Sequence, residues 1–156
     1  MVKAWKEKVV IPTYEVGKPE KNPIFLEKRV YQGSSGVVYP YPVIESMSDE
    51  KVDKEYDVVV LENEYLKIEI LPEIGGRIYS ALDKTTGYDF FYKQHVIKPA
   101  LIGALGSWIS GGVEFNWPFH HRASGFMPCD YMTETLPDGS AVCRLSEYDP
   151  TDGMKG

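Results

Sequence analysis

Cysteine is scarce in this chain, histidine nearly so, and no stretch approaches the length of a membrane span. The two thiols, Cys129 and Cys143, lack Cys-x-x-Cys spacing, so a zinc site built from them with His120 and His121 is not expected. In a cytosolic chain two such thiols are reduced and structural. They flank a predicted hairpin, which leaves a cross-strand disulfide as the alternative. A transmembrane helix needs about 18 or more consecutive apolar residues, and none occur. The N-terminal segment MVKAWKEKVVIPTYE has no continuous apolar core of a secretory signal. Cytoplasm is therefore the expected compartment, with a secreted protein already freed of its signal as the alternative. No membrane partner is expected.

Clustered positive charge is missing too. The formal net charge is -6, and Lys3, Lys6 and Lys8 are interrupted by Trp5 and Glu7, as on a solvated strand edge. A nucleic-acid partner would call for a basic patch, so none is expected. Gly33-Ser34-Ser35-Gly36 lacks the Lys-Ser/Thr of a phosphate loop, and Gly103-Ala104-Leu105-Gly106 is no dinucleotide fingerprint. Neither Ser35 nor Ser107 lies in a Gly-x-Ser-x-Gly elbow. There is no internal repeat and no low-complexity block.

What the chain does have is β-forming, aromatic and punctuated material. Hydrophobic residues make up 43%, enough for a packed core and against global disorder. Fourteen Gly and 11 Pro argue against long helices. Val58-Val59-Val60-Leu61 is a β-branched run, and Tyr65–Leu71 alternates with Leu66, Ile68 and Ile70 on one face. Pro72 and Gly75-Gly76 stop that strand. Arg77–Leu82 restarts one, and Asp83–Gly87 turns it into Asp89–Tyr92, an antiparallel meander. Pro137-Asp138-Gly139-Ser140 separates strands at Tyr131–Leu136 and Ala141–Leu145. A short helix is expected near Pro99–Leu105. Between Gly112 and Trp117 the alternation puts Val113, Phe115 and Trp117 on the core face, with Glu114 and Asn116 opposite. Residues 1–55 read as an extended arm with short strands at Val9–Ile11 and Val37–Ile44, kept on edges by their prolines. Residues 56–156 read as the first part of an all-β antiparallel sandwich, broken off after its last strand.

Two stretches carry a family resemblance. Leu61–Ile78, with its Leu71-Pro72-Glu73-Ile74-Gly75-Gly76-Arg77-Ile78 ending, resembles the opening of a galactose-mutarotase-like domain. Trp108-Ile109-Ser110-Gly111-Gly112-Val113-Glu114-Phe115-Asn116-Trp117-Pro118, with His120-His121-Arg122 after it, resembles an uncharacterised bacterial family of such domains. Members often carry tetratricopeptide repeats after the sandwich. Lys21-Asn22-Pro23 and Tyr31–Gly36 resemble that family's N-terminal segment. The resemblance implies a large β-sandwich, a carbohydrate ligand and chemistry without metal or organic cofactor, since anomerisation is acid–base work. It also implies more sandwich than 156 residues build.

Within this frame Glu114 and His120 are the expected catalytic pair. A carboxylate and an imidazole can share the protonation of a ring oxygen and deprotonation of an anomeric hydroxyl. Neighbours on an extended chain point opposite ways, so His120 is favoured for the proton work and His121 is counted among the expected substrate-binding residues. Arg77 and Arg122 are expected to bind polar ligand groups through their rigid donor forks. For Arg77 the competing reading is an ion pair with Glu69 or Glu73, and for Glu114 an exposed strand carboxylate beside an Arg. Trp108 is the better stacking residue, Trp117 lying on the predicted core face, and Asn116 supplies amide hydrogen bonds. The expected function is carbohydrate binding or an aldose-epimerase-like or glycoside-processing activity. The alternative is a non-catalytic sugar-recognition or assembly module of a repeat-containing protein, self-associating through exposed strand edges.

Overall fold

A computed structural model describes residues 2–21, 24–25, 38–39, 44–101, 107–116, 123–150 and 153–156. The first strands are β1 (Lys3–Val16), β2 (Ile24–Phe25), β3 (Val38–Tyr39), β4 (Met47–Glu62) and β5 (Leu66–Leu71). They are followed by β6 (Arg77–Asp83), β7 (Tyr88–Asp89), β8 (Ala100–Leu101) and β9 (Ser107–Trp108). A one-turn 3-10 helix at Ala123–Phe126 leads to β10 (Asp130–Thr135), β11 (Ala141–Ser146), β12 (Tyr148–Asp149) and β13 (Met154–Lys155). The chain is an all-β fold whose named strands pair antiparallel. The principal sheet has the order β1-β4-β5-β6-β7.

The meander from β4 to β6 follows the alternation and turn residues of the sequence, but the strand expected over Asp89–Tyr92 is reduced to Tyr88–Asp89. Between β6 and β7, Asp83 accepts hydrogen bonds from the Thr85 amide at 2.8 Å and from the Thr85 and Thr86 hydroxyls. Gly87 then adopts φ 72°, a left-handed conformation that other residues resist. The β10–β11 hairpin turns at Gly139, φ 83°, as the Pro-Asp-Gly-Ser signal requires.

Two expectations change. The strand read at Val9–Ile11 is a 14-residue one running from Lys3 to Val16, because it pairs with β4 along nearly its whole length. Its partner β4 extends from Met47 to Glu62, across the point where the arm was expected to give way to the sandwich. Pro12 sits on the outer edge, where Ile97 donates to its carbonyl at 2.8 Å. The helix expected near Pro99–Leu105 does not form in its described part. Ala100–Leu101 pairs instead with Ser107–Trp108 as a strand, and residues 102–106 lie outside the described residues.

β4 carries the core. Tyr56, Val58 and Val60 face one way into a cluster with Ile11, Leu71, Ile74, Ile97 and Ile109. Val59 faces the other way and is equally buried. On that second face Lys6, paired across from Val59, lies 4.7 Å from the Tyr131 ring of β10. The β10–β11 ribbon therefore covers the sheet opposite the core, which gives the layered packing of a sandwich. The Tyr56 hydroxyl, carried into the core, meets the buried Thr13 hydroxyl at 3.0 Å, so burial leaves no orphan there.

At the far side of the sheet Asp89 ties β7 to β6. Burial raises the pKa of its carboxyl, but hydrogen bonds from the Ser80 hydroxyl and the Ala81 and Phe91 amides, with Lys93 nearby, hold it below the ordinary value. A carboxyl depressed on folding stabilises above its unfolded pKa, about 3.9, and that contribution fades as pH falls through the folded value. Asp89→Asn is expected to lower the thermal midpoint at neutral pH and to flatten its fall below about pH 4. An unchanged acid limb would show that the carboxylate does not couple to folding.

Candidate functional site

The site grows from two glycine-bearing turns. Gly75 and Gly76, at φ 65° and 68°, deliver the chain into β6 with Arg77 as its first residue. A Cβ on Gly75 would lie 2.6 Å from the Gly125 carbonyl oxygen, and the Gly75 amide donates to Met127 O at 2.7 Å. The turn is thereby pressed onto the 3-10 helix. Opposite, Val113 and Ile78 exchange two backbone hydrogen bonds of 3.2 and 2.8 Å. Gly112, at φ 68°, comes so near that a Cβ would stand 2.2 Å from Ile78 O. No side chain fits either place.

These contacts bring Glu114 to Arg77. Trp108 Nε1 donates to Glu114 Oε2 at 2.8 Å, and Arg77 Nη2 lies 3.7 Å from the same oxygen. Arg77 Nη1 donates to Gly111 O. The side chains of Arg77 and Glu114 are 3% and 12% exposed, so this is a charge pair largely out of water. Gly125 covers its other oxygen, with a Cβ position only 3.5 Å from Glu114 Oε1. Of the sequence-predicted residues, Arg77, Trp108 and Glu114 thus meet in one cluster.

Glu114 and Phe115 do not take the places expected of them, whereas Asn116 is exposed as expected. Glu114 turns inward, whereas Phe115, assigned to the core, is 42% exposed and lines a cavity. Alternation fixes only that neighbours face opposite ways. The Ile78–Val113 bridge and the buried guanidinium decide which way is in. Among the described residues of this segment only Val113 joins a β-bridge, so no regular strand forms over 114–116. Asn116 is exposed beside Phe115. The Arg77 partner is Glu114 and neither Glu69 nor Glu73. Glu69 pairs with Lys67 at 2.9 Å, and Glu73 accepts from the Asp57 amide. Trp108 gives its ring N–H to Glu114 and is half-buried. Trp117, His120, His121 and Arg122 lie outside the described residues.

The cavity beside this cluster measures about 280 Å³. Phe115, Cys129, Cys143, Leu145, Ser146 and Glu147 line it, with Gly75 from the turn. Both cysteines are free. The strand register explains why no bridge joins them: Cys143 pairs with Thr133, four positions along the chain from Cys129. At about 3.3 Å per residue that is roughly 13 Å, well beyond disulfide reach. Sequence reasoning passed over Ser146 and Glu147, whose only local signal is that Cys143, Leu145 and Glu147 alternate. Among the described residues, no three His, Cys, Asp or Glu side chains gather as a metal site would require, and no helix is long and apolar enough to cross a membrane.

A family described as a domain of unknown function, DUF5107, matches residues 34–155. The chain belongs to that family. The DUF5107 match takes in Arg77, Trp108, Glu114 and nearly all of the cavity lining. The chain is also similar to the crystal structure of a TPR-domain containing protein from Parabacteroides distasonis ATCC 8503. The TM-score is 0.76 at 24% identity, covering 95% of this chain and 24% of that one. This DUF5107 chain shares the fold of that region and spans a minor part of the neighbour's length.

Removing one member of a buried charge pair strands the other, typically at about 3–5 kcal/mol, whereas an apolar replacement of both is close to neutral. Arg77→Met and Glu114→Leu are each expected to lose about that much in urea unfolding, and the double variant less than their sum. Strict additivity would mean that the two charges do not act on one another.

Proposed function

We propose that this chain supplies the sugar-binding cavity of a mutarotase-type carbohydrate domain, with Phe115 as the stacking surface. The observation that carries this reading is the placement of Phe115. It is an exposed ring among the residues that line a cavity, with Ser146 and Glu147 also in the lining. A pyranose has an apolar face and a rim of hydroxyls, so it needs one aromatic surface and several fixed polar partners. A cavity of this size suits one ring rather than a chain of them, drug-sized ligands taking about 300–1,000 Å³. In this reading the Arg77–Glu114–Trp108 cluster holds the loop that presents Phe115 and Asn116. Glu114 Oε2 already accepts from Trp108 beside Arg77, so Glu114 positions the wall instead of exchanging a proton with substrate. The resemblance of Leu71–Ile78 and Trp108–Pro118 to mutarotase-like domains points the same way. Proton transfer, where it occurs, falls to His120.

Saturation-transfer NMR against a panel of monosaccharides tests this. Transfer to at least one sugar is expected, with affinity falling about tenfold or more in Phe115→Ala, as loss of a stacking partner implies. Undiminished binding by that variant, or no sugar bound by folded protein, would remove the reading.

A second reading, an assembly module, is favoured by the outer strand β7. There Tyr88 and Phe90 stack edge-on at 6.2 Å, and with Tyr92 they are 64%, 49% and 72% exposed. Pairing of two copies through this edge predicts a dimer in sedimentation velocity that Phe90→Ser dissociates; a monomer at all concentrations would dismiss it.

A further inference from the structure

The β1–β4 ladder runs on past the rest of the sheet. β5 meets β4 only over Val59–Glu62, whereas β1 stays beside β4 down to Met47. Among the described residues, no strand pairs with the other side of β4 before Val59. The direction of the backbone groups there follows from β1. Ile97 donates to the Pro12 carbonyl and accepts from the Tyr14 amide, so residues 12 and 14 bond away from β4. Opposite residues of an antiparallel ladder either bond each other or both face away. Asp53, opposite Pro12, and Lys51, opposite Tyr14, therefore aim their N–H and C=O groups at the open side. The Asp57 amide, in step with them, donates on that side to Glu73 Oε1 at 2.9 Å. The register slips between Lys51 and Met47, which ends the regular edge at Lys51.

We infer that this open edge of β4 binds the same edge of a second copy of the chain, making one four-stranded sheet across a two-fold axis. The charge pattern selects that occupant. Glu50-Lys51-Val52-Asp53-Lys54 reads acid, base, apolar, acid, base, which is its own complement when reversed. An antiparallel pairing must set outward-bonding residues opposite one another. With the axis at Val52, Lys51 of each copy faces Asp53 of the other, Val52 faces Val52, and Lys54 comes opposite Glu50. An axis at Lys51 sets lysine against lysine, and one at Asp53 sets aspartate against aspartate. Opposite charges across a ladder stabilise it and like charges oppose it, so the Val52 register is selected. Lys51 and Asp53 are exposed and in no ion pair among the described residues, and Val52 is 42% exposed. A two-stranded ribbon also gains from further strands. This edge is separate from that of β7 and independent of the sugar reading.

Sedimentation velocity over a concentration series is expected to show a dimer that weakens with added salt. Lys51→Glu or Asp53→Lys alone sets like charges opposite each other twice, and is expected to weaken dimerisation roughly 10-fold or more. Both positions are exposed, so circular dichroism of each variant is expected to be unchanged. An equimolar mixture of the two variants restores both opposite-charge pairs and is expected to recover the dimer, as is the double variant. A monomer at every concentration, or a dimer that either single reversal leaves intact, overturns the inference. Failure of the mixture to recover a dimer lost in both variants overturns it too. A dimer that Phe90→Ser dissociates and the reversals spare belongs to β7 and overturns only the assignment to β4.

Discussion

A guanidinium that is 3% exposed cannot stay charged without an anion beside it, and most of the local architecture serves that need. Glu114 answers Arg77, Trp108 aligns the carboxylate, and Gly111 accepts from the remaining arm of the fork. To bring these groups together, two segments distant in sequence must approach at backbone contact. Gly75 against Gly125 and Gly112 against Ile78 are the contacts that allow it, at spacings where a Cβ would collide with carbonyl oxygens. A buried pair of this kind is poor evidence for stability, because its desolvation offsets much of the attraction. Its effect is geometric: it fixes where Glu114 points, beside the backbone bridge that holds Val113.

That direction connects the fold to the cavity. The end of β4 is covered on both faces, by the aliphatic cluster on one side and the β10–β11 ribbon on the other. The same ribbon carries Cys143, Leu145 and Ser146 to the cavity, and the Gly75 turn closes it. A wall set on strands and a tight turn holds its side chains better than one set on a free loop, which is what recognition of a small ring demands. Phe115 is the exception, standing on no strand beside Glu114, which Trp108 and Arg77 fix. The buried charge cluster and the exposed ring are thus two sides of one segment.

The long edge strand β1 shows how the fold restrains an otherwise open ladder. Lys3, Lys6 and Lys8 line it, Lys8 reaches Asp57 at 2.7 Å, and Pro12 offers no donor. Charge and proline on an edge discourage strand addition. Strand β7 lacks such protection and exposes aromatics instead, so the two ends of one sheet differ in their capacity for contact.

The sequence by itself determined the turns of the β4–β7 meander, the strands β5 and β6, and the β10–β11 hairpin. Period-two alternation and Asp, Pro and Gly turn chemistry act over a few residues and are legible in one dimension. It also singled out Arg77, Trp108 and Glu114, through residue types and family-like motifs. Only the tertiary structure decided their partnership and which of residues 113–116 turn inward. Past the isolated Val113 bridge to Ile78 no strand continues, so Glu114 turns in to Arg77 while Phe115 and Asn116 are both exposed. The length of β1 was likewise hidden, since pairing with β4 overrides the local reluctance of Pro12. The cavity was invisible for a similar reason. Phe115, Cys129 and the β11 residues meet only after the sheet and ribbon have packed, and no local pattern encodes a contact made across layers.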